Sequence, residues 1–148
     1  MARIEETYIE NRNRVQPNHA NNYETVHGGN VMKWMDEVGA MSAMRHAGET
    51  CVTASIDHMD FMRPVPVGDI VVIEAYVYDV GRTSVKVRLR AFGENPRTGE
   101  RHQTTESYFV FVAVDQDGRP TEVPDLGVES ERDEALLEAA REGENGEE

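Results

Sequence analysis

The chain has 148 residues, a length that fits one ordinary domain, and carries 15 Lys and Arg against 28 Asp and Glu. The resulting net charge of -13 opposes nonspecific binding to phosphate backbones and speaks against a nucleic-acid role. The single cysteine, Cys51, cannot form an intrachain disulfide and stands in no metal-ligand spacing, so a cytoplasmic setting fits, and zinc or iron–sulfur chemistry does not.

The charged stretch from Met1 to Arg14 lacks the apolar core of a signal peptide, although Ile4, Tyr8 and Ile9 allow a first strand over 3–12. Pro17 to Thr25 is a run of turn formers and small polar residues and reads as an exposed loop. From Gly28 or Gly29 to about His46 there is no proline, and Val31, Trp34, Met35, Val38 and Met41 recur at helical spacing. A largely buried central helix is expected there.

After Gly48 the pattern changes to short β-favouring runs, with strands expected at 51–58, 69–79, 83–92 and 103–115. In the third, Val85, Val87, Leu89 and Ala91 alternate with Lys86, Arg88 and Arg90, as on a half-exposed antiparallel strand. Tyr108 to Val114 is apolar on both faces and should be central. No run is long enough to span a bilayer, so no membrane insertion is expected. One helix followed by strands means α+β, an antiparallel sheet packed on that helix. The domain is placed at 1–127. An acidic tail, 128–148, follows, with a short helix opened by Ser130 and Asp133 and disorder from Gly143. An acidic surplus of this kind also suits a protein dissolved in high salt.

Two adjacent carboxylates sit on the helix. Glu37 has Lys33 one turn back, and an exposed ion pair accounts for it. Asp36 has Gly29, Met32, Gly39, Ala40 and Ala43 as wheel neighbours, so it has no local partner. Either it is solvated where the helix surfaces, or it faces a cleft in which small residues make room for a ligand. Gly28 and Gly29, at the helix start, either make the turn or leave backbone N–H groups free to hold developing negative charge. Gly28 and Asp36 lie eight residues apart, roughly 12 Å along one helix. If both act on one carbonyl, a second copy of the chain must supply one of them.

The stretch Asn18-His19-Ala20-Asn21, continuing through Val26-His27-Gly28-Gly29 to Trp34-Met35-Asp36-Glu37, resembles the loop and central helix of hot-dog-fold acyl-CoA thioesterases. Asp60-Phe61-Met62-Arg63-Pro64, Gly81-Arg82-Thr83-Ser84 and Phe109 to Asp115 resemble the later strands and turns of that family. The resemblance covers about residues 15 to 125. It implies a sheet wrapped around the long helix, self-association as a dimer or a trimer of dimers, active sites between protomers, and hydrolysis of acyl-CoA in fatty acid metabolism. No cofactor beyond the CoA of the substrate is implied. By position, Asp36 matches the catalytic carboxylate and Asn21 the polar residue of the facing loop. Gly28 and Gly29 would offer amides to the thioester carbonyl. Arg82, Thr83 and Ser84 match the turn near the nucleotide, with Arg63 a further cation for the CoA phosphates. His19 and Asn22 to Thr25 depart from relatives in polarity and size.

Two rivals share the cleft. A hydratase or dehydratase would need an Asp and His pair at the central helix, and His27 precedes Asp36 by nine residues with no such signature. A noncatalytic acyl-CoA sensor would not need Asp36. His58 and His102 read as strand-surface residues.

Overall fold

The structure, a computed structural model, describes residues 2–146. Strand β1 (Ile9–Arg14) precedes helix α1 (Gly28–Ala47), and β2 (Thr50–Ile56), β3 (Ile70–Val80), β4 (Ser84–Glu94), β5 (Arg101–Val114) and helix α2 (Glu131–Gly146) follow. The five strands form one antiparallel sheet in the order β1-β3-β4-β5-β2, so β4 is central and β1 and β2 are the edges. This is the α+β hot-dog arrangement, a sheet curled around a long helix. Among the described residues, no helix is long and apolar enough to cross a membrane.

Helix α1 ends at Gly48, whose positive φ of 71° allows its N–H to bond the Met44 carbonyl. Its buried stripe of Val31, Met35 and Val38 packs on the inner face of the sheet against Val87, Leu89, Phe109 and Phe111. Gly39 sets how close the helix comes: a Cβ there would meet Phe111 Cζ at 3.0 Å and Leu89 Cδ1 at 3.2 Å. The expected strand alternation holds on this side. Val85, Val87, Leu89 and Ala91 are all fully buried.

The outer face departs from expectation. Arg88 is not half-exposed but buried, because α2 lies across this side of the sheet and its Leu136, Leu137 and Ala140 cover Tyr76, Tyr78 and Tyr108. Each polar tip there finds a partner. Arg88 donates to the Tyr76 hydroxyl (3.1 Å) and to Glu106 (3.3 Å), and Tyr76 donates to the Leu136 carbonyl (2.6 Å). The tail is not disordered from Gly143; the helix continues to Gly146, while residues 147 and 148 lie outside the described residues. Gly143 marks close approach rather than a break, since a Cβ at that position would overlap the Tyr108 hydroxyl.

The expected first strand is divided into a 3-10 turn, Ile4–Thr7, and β1. Thr7 is the cause. Its hydroxyl donates to the Ile4 carbonyl (2.6 Å) and accepts from the Val77 N–H (2.9 Å), while its carbonyl accepts from the buried Ser42 hydroxyl (2.7 Å). The turn is thereby held between α1 and β3.

Candidate active site between helix α1 and the β2 edge

Asp36 lies in the third turn of α1 and is only partly buried. The Thr53 hydroxyl, from β2, donates to its Oδ1. The carboxylate takes its partner from another element while staying partly open to solvent, and of its small neighbours Gly39 and Ala43 are buried and serve packing of α1 on the sheet. Lys33 and Glu37 are both exposed, but among the described residues no ion pair joins them, which corrects the explanation offered for Glu37. Cys51, two residues before Thr53, is no rival nucleophile. Burial, with a smaller contribution from Glu49, pushes its thiol up to about 11.

A second group gathers at the N-terminal end of α1. Asn21, Gly28 and Arg63 line a pocket of about 290 Å³ together with Val31, Phe61 and Thr104. Asn21 Oδ1 accepts from the Tyr23 N–H (2.9 Å), the Thr25 N–H (3.2 Å) and the Thr25 hydroxyl (3.2 Å). Its oxygen is thus committed to the loop, and what it has left to offer is the Nδ2 donor. The two glycines differ. Gly29 N–H donates to His27 Nδ1 at 3.0 Å, whereas Gly28 N–H has no partner among the described residues. The expectation of two free amides therefore reduces to one. The Phe61 ring lies over Gly28, 3.5 Å from where a Cβ would stand, so it forms the neighbouring wall of the pocket at ordinary contact distance.

The third group is the β3–β4 turn. Gly81 N–H donates to the Ser84 carbonyl (2.9 Å), and the Thr83 carbonyl accepts from Ala113 N–H (3.0 Å). Arg82 projects into solvent, its side chain 81% exposed, with Glu122 at 3.7 Å as a weak surface partner. Ser84 is in register with Val112, and Val112 with Val52, so the turn lies two strands from β2 and at the other end of β5 from Thr104. Within one protomer, then, the expected residues form three groups: Asn21 and Arg63 with the glycines, Asp36 alone, and Arg82 to Ser84.

Thr53, Phe61 and Thr104 were not legible as site residues. Thr53 faces Asp36 from a strand 17 residues further on, and only the pairing of β2 with the helix reveals it. Two further histidines are also placed: His58 is exposed after β2 and lies 2.7 Å from Asp60, and His102, on β5, is half-buried with its Nε2 turned inward. Among the described residues, no three His, Cys, Asp or Glu side chains gather as a metal site.

A curled five-stranded sheet, a long helix and a carboxylate at its flank define a hot-dog protein of the thioesterase type. Residues 23–100 match the Thioesterase superfamily, and the chain belongs to that family. It is 37% identical over 135 residues to YkhA of Bacillus subtilis (strain 168), an uncharacterized acyl-CoA thioester hydrolase, covering 91% of this chain and 78% of that one. A crystal structure of an apo-hexameric acyl-CoA thioesterase superimposes with a TM-score of 0.86 at 38% identity, covering 98% of this chain and 94% of that one. The Staphylococcus aureus acyl-CoA hydrolase, solved in complex with butyryl-CoA, CoA and CoA disulfide, gives 0.85 at 31% identity over 96% of this chain and 86% of that one. That enzyme has also been solved with an asparagine, an aspartate or a threonine replaced by alanine, and the three are spaced along its chain as Asn21, Asp36 and Thr53 are along this one.

Proposed function

We propose that the protein hydrolyses acyl-CoA thioesters to CoA and a carboxylic acid, at sites completed by two copies of the chain. The observation that carries this reading is the separation, within one protomer, of a carboxylate oriented by Thr53 from a pocket that offers a free amide and an amide nitrogen donor. Hydrolysis needs both kinds of group. The thioester oxygen requires donors where its negative charge develops, and the carbonyl carbon requires an activated oxygen on the other side.

In this reading Gly28 N–H and Asn21 Nδ2 polarise the carbonyl. Thr53 holds Asp36 through Oδ1 and leaves Oδ2 for the reaction. Asp36 then takes a proton from a water that attacks the carbonyl, or attacks it directly to give a mixed anhydride that water cleaves; in both routes the C–S bond breaks and CoA leaves as a thiolate that takes up the proton released by the water. Single turnover in labelled water separates these routes, because only the second places the label in Asp36. Arg63 at the pocket rim and Arg82, Thr83 and Ser84 at the hairpin supply cationic and hydroxyl contacts for the CoA phosphates.

The sheet edges support assembly. β1 carries Glu10, Arg12 and Arg14, whereas on β2 Val52 and Ile56 are 48% and 40% exposed. A charged edge resists strand addition, and an apolar edge invites it. Pairing through β2 brings the Asp36–Thr53 pair to the boundary between protomers, and a trimer of such dimers follows the hexameric relatives.

Thiol release from acetyl-, butyryl- and palmitoyl-CoA, in low and molar salt, tests the reading. Asp36→Asn is expected to lose about a hundredfold or more of kcat with its oligomeric state unchanged. Acyl-CoA binding without turnover by the wild type at either salt concentration would overturn it in favour of a sensor.

A further inference from the structure

An α-helix leaves its first four N–H groups without partners of its own. In α1, whose N-cap is His27, these belong to His27, Gly28, Gly29 and Asn30, and His27 takes two of them. Its carbonyl accepts from Asn30 (2.9 Å) and Val31 (3.3 Å), and its Nδ1 accepts from Gly29 (3.0 Å). Gly28 N–H is left over, in the wall of the pocket that Asn21 also lines. His27 is itself held in place. Its N–H donates to the His19 carbonyl (2.8 Å), which also accepts from Asn30 Nδ2 (3.0 Å), and the His19 ring packs edge-on to Trp34 at 5.0 Å.

Caps that accept through a side chain are ordinarily Ser, Thr, Asp or Asn. An aspartate at 27 could make a comparable bond and would gain from the helix dipole. It would also set a negative charge beside the one amide that must donate to the thioester oxygen as negative charge develops there. An imidazole avoids that conflict. Its accepting Nδ1 is unprotonated, so in the neutral ring the proton sits on Nε2.

We propose that His27 is a positioning residue: it closes the Gly29 amide with a neutral acceptor, so that Gly28 alone presents its N–H to the thioester oxygen at a helix N-terminus free of opposing charge. The inference rests on the hydrolase reading given above. It predicts that what matters at 27 is the charge of the acceptor and not only the presence of a cap.

The test compares His27→Asn, His27→Asp and His27→Ala in butyryl-CoA hydrolysis, with thermal melting followed by circular dichroism. Asn and Asp are both good caps, so both variants should melt close to one another. His27→Asn is expected to keep kcat within about threefold of the wild type, and His27→Asp to lose about tenfold or more in kcat with KM little changed. A charge felt only by the CoA phosphates would instead raise KM and spare kcat, which overturns the inference. So does equal kcat in folded Asp and Asn variants, or wild-type kcat in His27→Ala. A wild type that hydrolyses no acyl-CoA overturns the hydrolase reading and this inference with it; an active wild type with indistinguishable Asp and Asn variants overturns this inference alone.

Discussion

The two faces of the sheet bury their residues by different means. The inner face, under α1, is hydrocarbon: valines alternate along β3 and β4, and Phe111 of β5 with Leu89 of β4 fills the space below Gly39. The outer face, under α2, is built from tyrosines and ion pairs, with Arg88, Glu106 and the Tyr76 hydroxyl bonded to one another beneath Leu136 and Leu137. Area removed from water carries the first. Completeness of hydrogen bonding decides the second, because a buried polar group left without a partner costs what its bond would have gained or more. Asp36 and Gly28 are both on α1, so in the proposed reading the inner packing sets the geometry of the chemistry, while the outer packing holds the sheet from behind.

If that division is right, the largest effect comes from the inner face. Phe111→Ala removes a fully buried ring against which Gly39 is fitted and is expected to cost about 3–5 kcal/mol in chemical denaturation. The helix that carries Asp36 would settle into the space, so kcat should fall as well. A loss below about 1 kcal/mol would show that α1 can collapse onto the sheet, and that the inner face is less tightly specified than its packing implies.

Gly143→Ala probes the outer face. A glycine inside a helix ordinarily costs about 1 kcal/mol against alanine, so the substitution would stabilise an unconstrained helix. Here the new methyl overlaps the Tyr108 hydroxyl, which is buried and bonded to Glu106 at 2.6 Å, and overpacking of this kind costs about 1–3 kcal/mol. The overlap wins, and a net loss of about 1 kcal/mol is expected. It should be concentrated in the last turns of α2, where Tyr78 donates to Glu144 at 2.5 Å, and should show as faster amide exchange there. Thiol release should be unchanged. A change in kcat beyond about threefold would break the separation between the faces.

The same contrast explains what could be read from the chain. Helix α1 and the inner strands announce themselves through apolar residues at periods of 3.6 and 2, because one hydrocarbon surface covers another and order along the chain is enough to reveal it. The outer face sends no such signal. Arg88 reads as a half-exposed charge until α2 covers it, and Gly143 reads as a break until Tyr108 is seen beneath it. The site divides likewise. Asp36, Asn21 and Gly28 stand at positions that a family resemblance can carry over, but Thr53 acquires meaning only through its hydrogen bond across the fold, and the engagement of Gly29 by His27 only through side-chain geometry. Residues 57–69 were the least legible. They form no regular strand and run beside β5 with Met62 N–H bonded to the Thr104 carbonyl at 2.8 Å, which brings Arg63 to the pocket.

An effect no larger than that expected of Gly143→Ala concerns how α2 is attached at its start. Asp133 is fully buried; its Oδ1 accepts from Glu5 N–H (2.8 Å), and its Oδ2 from Glu129 N–H (2.9 Å) and Ser130 N–H (3.1 Å), while Ser130 Oγ accepts from Asp133 N–H (3.0 Å). This reciprocal cap ties the helix to the N-terminal 3-10 turn. Burial by itself would raise the carboxyl pKa, but the backbone N–H donors outweigh it and hold the group below its ordinary value of 3.8. The folded state therefore favours the ionised form. Its contribution is fully present above the unfolded-chain pKa of about 3.9 and is lost as the pH falls through the lower folded value. Asp133→Asn replaces one accepting oxygen with a donor that faces another donor, at a cost of about 1 kcal/mol near neutral pH, comparable to losing a cap. Because asparagine does not titrate, the gap in melting temperature between the two proteins should be constant above about pH 5 and should narrow steadily below about pH 4. A gap that stays constant down to pH 2 would mean that the carboxylate is not what holds α2 to the turn, and that the outer face is secured by Tyr76, Tyr78 and Tyr108 alone.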